Sequence, residues 1–111
     1  MSVNKTILIG NTGKDPEVKV INESKVCNVS IATSEKYKSE IKTTWHNLQF
    51  WGKLAEIVEK YVKKGDQIYV EGQLDYRDYE TKDGQKKSIT VINCRKLKML
   101  GSRKEAEKQA K

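Results

Sequence analysis

The sequence predicts an all-β domain: a five-stranded, partly open Greek-key barrel with one α-helix between the third and fourth strands. Three observations carry that reading. Short apolar stretches alternate every second residue, one stretch between them repeats at helical spacing, and turn signals separate them. All of this fits in 111 residues, the length of one domain with one core.

Val3 to Ile9 is rich in β-branched residues and runs into Gly10-Asn11-Thr12-Gly13 and then Asp15-Pro16, which predicts a strand entering a turn. Val18, Val20 and Ile21 suggest a short return strand. Beyond the polar turn Asn22-Glu23-Ser24-Lys25, the segment Val26 to Thr33 puts Cys27, Val29 and Ile31 on one face. Residues 34–43, charged and polar around Tyr37, read as a mobile loop. Thr44 to Trp51 alternates again. From Lys53 to Lys64 the period changes: Leu54, Ile57, Val58, Tyr61 and Val62 form one helical face, with Gly65 as the stop and Lys63 and Lys64 in the last turn. Tyr61 and Tyr69 are expected to pack. Ile68, Val70 and Leu74 restart a strand in which Gly72 signals a bulge or a close backbone approach. Asp83-Gly84 marks a hairpin turn, and Ile89 to Leu100 returns as the last strand. Three strands, a helix and two strands make the barrel, spanning residues 1–101; residues 102–111 read as a basic polar tail, frayed or disordered.

Composition narrows function less than it first suggests. A formal charge of +7 suits a polyanionic partner, but residues 95–111 alone hold seven basic and two acidic side chains, leaving the rest nearly balanced. The early run Ile7-Leu8-Ile9 is too short for a membrane span or a signal peptide, so a soluble cytoplasmic protein without a membrane partner is expected. Cys27 and Cys94 lie far apart with no CxxC pairing and read as buried packing residues.

The chemistry concentrates in the strand Thr44 to Trp51. Alternation puts Trp45, Asn47, Gln49 and Trp51 on one face and Thr44, His46, Leu48 and Phe50 on the other. The second set is a core face. Burying the first would strand two amides, so both indoles are expected on a wet surface. An exposed indole forgoes roughly 1.5–3 kcal/mol of burial, and stacking a nucleobase on it recovers about 1–3 kcal/mol whatever the sequence. Counting in twos from Tyr69 puts Glu71, Gln73, Asp75, Arg77 and Tyr79 on the face opposite Ile68, Val70 and Leu74 unless a bulge at Gly72 shifts the register, with Tyr79 exposed near a hairpin tip and Lys86 and Lys87 across the turn as phosphate contacts. Tyr37 sits between Lys36 and Lys38, a second pairing of ring and cations.

Enzyme machinery is missing. The lone His46 builds no metal site, and no metal or cofactor is expected. A Cys27–His46 nucleophile pair fails because both point to apolar sides of their strands. Gly10-Asn11-Thr12-Gly13-Lys14 lacks the spacing of a phosphate loop, and Asp15-Pro16 follows it where a helix should.

Read together, VNKTILIGNTGKDPEV, SIATSEKY, TTWHNLQFWGKLAEIVEKYVKKG, QIYVEGQLDYRDY and the strand ending in MLG resemble the bacterial single-stranded DNA-binding proteins over nearly all of residues 3–101. The resemblance implies an OB-fold that assembles as a homotetramer and wraps unpaired DNA in replication, recombination and repair, in the cytoplasm at the nucleoid. It also implies base-stacking roles for Tyr37, Trp45, Trp51 and Tyr79, and a subunit contact at His46. Trp51 stands where the family often has phenylalanine, and Tyr37 and Tyr79 where it often has tryptophan. The family pattern continues into a flexible linker with an acidic tip that recruits other genome-maintenance proteins. The basic tail here carries no such tip, so that recruitment is not implied.

Overall fold

The alternation through residues 26–33 and 44–51 folds, in a computed structural model that describes residues 1–102, as one long antiparallel ribbon. Its strands are β3 (Ser24–Tyr37) and β4 (Glu40–Trp51), and they pair without a break from Val26↔Trp51 to Tyr37↔Glu40. The expected loop over 34–43 is therefore a hairpin. Two residues turn it, with Lys38 at φ 58°. Rungs such as Glu35↔Lys42 set opposite charges across the ladder, which suits a ribbon wetted on both sides.

The remaining elements are β1 (Thr6–Thr12), β2 (Glu17–Ile21), α1 (Lys53–Tyr61), β5 (Asp66–Glu80) and β6 (Lys86–Ser102). Sheet order is β1-β5-β6-β4-β3-β2, and an additional β1–β3 pairing closes a barrel of β1, β3, β4, β6 and β5. The helix falls between the third and fourth barrel strands, as expected, while β2, among the described residues, pairs only with β3. Closure needs a glycine, because a Cβ on Gly10 would stand 2.5 Å from the Ala32 carbonyl oxygen.

β1 runs three residues past Ile9, into the expected turn, because its end is held from both sides. The Thr12 hydroxyl donates to the Lys63 carbonyl at 2.6 Å, Gly65 N–H donates to the Thr12 carbonyl at 3.0 Å, and the Asp15 carboxylate accepts from Lys64 N–H at 2.9 Å. These bonds tie the 13–16 turn to the chain between α1 and β5.

The core is the barrel interior: Cys27, Val29, Ile31, Leu48, Phe50, Ile68, Val70, Ile92 and Cys94, capped by Ala55 and Val58 from the helix and Val62 just past its end. That cap is narrower than the expected stripe. Ile57 and Tyr61 lie on a flank of α1 that faces solvent, Tyr61 under the Lys60 ammonium at 5.4 Å. Ala55 permits close packing on the ribbon in their place, and the helix stops at Tyr61, so Lys63 and Lys64 lie past its end and Lys60 occupies its last turn. Both cysteines are buried, as expected. No helix among the described residues is long and apolar enough to cross a membrane.

β5 and β6 form the second long ribbon, paired from Asp66↔Ser102 to Glu80↔Lys86. The irregularity expected at Gly72 is present, but the extra residue is Arg95 on β6: Glu71 pairs with Lys96, and Gly72 with Cys94. Alternation along β5 is therefore unbroken. Gly72 is also a close approach, since a Cβ there would meet the Asn93 carbonyl oxygen at 2.3 Å. The Asp83-Gly84 turn forms with Gly84 at φ 80°. The proposed tail lies outside the described residues from 103 onward, and β6 extends through Ser102.

Candidate nucleic-acid interface

The outer face of the two ribbons carries a groove. Asn28 and Ser30 of β3, Asn47 and Gln49 of β4, Ile89 and Val91 of β6, and Arg77 and Tyr79 of β5 line it, and Lys14, Asp15, Glu17 and Lys19 form its rim. Alternation puts these side chains opposite the core. β4 shows the contrast in one strand, with Leu48 and Phe50 sealed inside while Trp45 is 59% exposed.

Trp45 stands at one end of the groove. A second crevice, lined by Trp45, His46, Asn47, Leu74, Ile89, Thr90 and Ile92, shares Asn47 and Ile89 with the first. The indole leans on Gly13, where a Cβ would fall 2.4 Å from Cζ3. The bonds that anchor the 13–16 turn therefore also set the seat of this ring.

Trp51 sits differently. It is half-buried, its rung partner Val26 is fully buried, and the Arg77 guanidinium lies 5.2 Å over its ring. Its Nε1 donates to Gln49 Oε1 at 3.2 Å, Arg77 Nη2 donates to the same oxygen, and Gln49 Nε2 donates to Asn28 Oδ1 at 3.3 Å. Gln49 is thus buried on the expected wet face, at 7% exposure, because each end of its amide has a partner.

Tyr79 borders the groove at 49% exposure, with Lys87 as its rung partner and Lys86 beside it. Tyr37 is 72% exposed near the turn of the β3–β4 hairpin, with the Lys38 ammonium 5.5 Å from its ring and Lys36 on the same strand, and it does not line the groove. Lys36, Lys38, Lys86 and Lys87 make no ion pair among the described residues. Further along the outer face the charges are internally paired: Glu71 lies between Lys5 at 3.4 Å and Lys96 at 3.6 Å. Desolvation pushes its carboxyl up, but the two ammonium groups and Tyr69 outweigh that and hold it below the usual carboxylate range.

His46 is half-buried on the inner face at the barrel rim, and its Nε2 hydrogen-bonds the Thr33 hydroxyl at 2.9 Å. Burial pushes the Cys94 thiol up to about 12 and raises Cys27, so both are neutral near pH 7. Cys27 and His46 pair with Phe50 and Ile31, four residues apart on the ladder or roughly 13 Å, and so form no nucleophile pair. Among the described residues no cluster of three or more His, Cys, Asp or Glu could hold a metal.

Lys19, Asn28 and Ser30 reach the groove without having been singled out in the sequence, and Lys14 stands out there only in the rejected phosphate-loop string. Lys14 and Lys19 bracket Asp15-Pro16 in a stretch that reads only as a turn and a return strand. Asn28 and Ser30 are the polar half of an alternation read for its apolar half.

The model of the single-strand binding protein family matches residues 3–100. The chain belongs to that family. A single-stranded DNA-binding protein of Neisseria meningitidis serogroup A is 45% identical over 95% of this chain, and the chain spans 64% of that relative's length. Single-stranded DNA-binding protein 1 of Xylella fastidiosa is 41% identical over 96% of this chain and 84% of its own. A solved structure of Plasmodium falciparum SSB in complex with ssDNA superposes with a TM-score of 0.82 at 34% identity, covering 90% of this chain and 96% of the other. The barrel is therefore an OB-fold of the single-strand binding type.

Proposed function

We propose that this chain binds single-stranded DNA along the outer-face groove, with little sequence preference, in replication, recombination and repair. The observation that carries the reading is Trp45: a seated indole, 59% exposed, at the end of a groove lined by amides and by both basic and acidic side chains. Membership of the family and likeness to a relative solved with ssDNA support it. Bases stack on Trp45, Trp51, Tyr79 and Tyr37, every base offering a π face. Phosphates meet Lys36, Lys38, Lys86 and Lys87. The activity is binding and protection, with no bond made or broken.

The chain works as a homotetramer, with His46 at a subunit contact, in the cytoplasm at the nucleoid. Exposed aliphatic side chains on β1, Ile7 at 52% and Ile9 at 50%, support self-association of a small barrel.

Tryptophan emission tests the reading. It quenches as oligo-dT is added and recovers as salt is raised, because single-strand binding loses about 0.7 log units of affinity per log unit of salt for each neutralised phosphate. Emission that ignores oligo-dT would reject it. Sedimentation of the free protein reads the tetramer independently.

A further inference from the structure

Trp51 differs from Trp45 in having a face already occupied. Arg77 starts from its rung opposite Ile89, crosses β6, and sets its guanidinium 5.2 Å over the Trp51 ring. Gln49 Oε1 accepts hydrogen bonds from both the indole and the guanidinium, so one amide holds the pair in register. Arg77 lines the groove and Trp51 does not, which leaves the guanidinium between the ring and the space a strand would enter. The closed arrangement also has an unmet need: Arg77 Nε is buried with no hydrogen-bond partner. An unsatisfied buried donor is costly, and phosphate oxygens are good acceptors for the planar guanidinium fork.

We propose that Arg77 is a built-in occupant of the Trp51 stacking site, lying in the free protein where a base would lie. On binding, the guanidinium leaves the ring for a phosphate of the incoming strand, and a base takes its place. The inference rests on the reading that Trp51 stacks a base, and it makes Trp51 a conditional site beside the open site at Trp45. The mask is light. A cation over a partly exposed ring is worth at least about a two- to five-fold factor in an equilibrium, enough to disfavour premature stacking without preventing it.

The two halves of the exchange respond oppositely to salt, and this gives the test. Oligo-dT titrations across a salt series use the full chain carrying Trp45→Phe, which retains a stacking ring and leaves Trp51 as the only indole. Removing the charge with Arg77→Gln or Arg77→Met removes one phosphate contact, so the plot of log affinity against log salt becomes shallower by about 0.7. It also uncovers the ring. Both variants then bind more weakly than the parent at low salt and about two- to five-fold more tightly at high salt, where the phosphate contact is screened, so the two lines cross. In the free protein, acrylamide quenches Trp51 more strongly in both variants.

Arg77→Gln keeps a donor for Gln49, so it carries the test if Arg77→Met perturbs the fold. An unchanged slope with weaker binding at every salt would overturn the proposal and leave Arg77 a structural residue. Trp51 emission that ignores oligo-dT in the parent would instead reject stacking at Trp51 itself.

Discussion

The inner and outer faces of β4 are made by the same twelve residues and obey different rules. On the inner face Leu48 and Phe50 are buried with no polar partner to satisfy, and packing alone accounts for them. On the outer face, burial goes with hydrogen bonding: Gln49 is covered where its amide is matched at both ends, while Asn47 and Trp45 stay open. The two indoles repeat the contrast on a smaller scale, one resting on glycine backbone in the open and the other roofed by a guanidinium. Alternation along a strand chooses the side a residue faces. Its neighbours on adjacent strands decide whether it can be reached.

The widest separation between the faces is expected in stability. Phe50→Ala should cost about 3–5 kcal/mol in denaturant unfolding, because the interior cannot collapse around the lost ring. Trp45→Ala should stay within about 0.5 kcal/mol of the parent. Comparable losses would break the distinction and mark Trp45 as a core residue.

The inner face should also respond to alkali. The folded state holds the Cys94 proton more tightly than the unfolded chain, since burial raises the thiol from its ordinary 9.0 to about 12. The contribution is therefore complete below about pH 9 and is lost as pH rises toward 12, by about 1.4 kcal/mol per unit. Cys94→Ala should flatten that part of a stability–pH curve followed by denaturant titration, and an unchanged curve would mean the thiol is hydrated.

On the outer face, Trp45→Ala should weaken oligo-dT binding by about 1–3 kcal/mol with the melting temperature retained. The smallest change sharpens the assignment of charge: Lys87→Ala should lower the salt slope of binding by about 0.7 and leave stability unaltered.

Much of this contrast is readable from the residues. The alternation from Thr44 to Trp51 separates the two faces before any tertiary contact is known, and the count in twos from Tyr69 reaches Tyr79 correctly because Arg95, on the other strand, absorbs the irregularity. Residues 34–43 hide their pairing because a ribbon with solvent on both sides needs no apolar alternation. The helix misleads because Ile57 and Tyr61 are apolar at the right spacing, yet Ala55 is the residue that lets α1 lie close to the ribbon. Arg77 over Trp51 is out of reach of any local pattern. The two residues lie far apart in sequence and meet only because β6 runs between their strands.

β4 and β6 touch through two rungs, Leu48↔Ile92 and Gln49↔Asn93. The two ribbons, each stiffened by its own long ladder, are thus joined directly by one short seam and a second time through β1, which pairs with both β5 and β3. Local opening grows easier toward the hairpin turns, where few neighbours hold the backbone. Gln49 pairs with β6 through its backbone and anchors Arg77 through its side-chain amide, so the seam between the ribbons and the roof over the second indole meet at one residue.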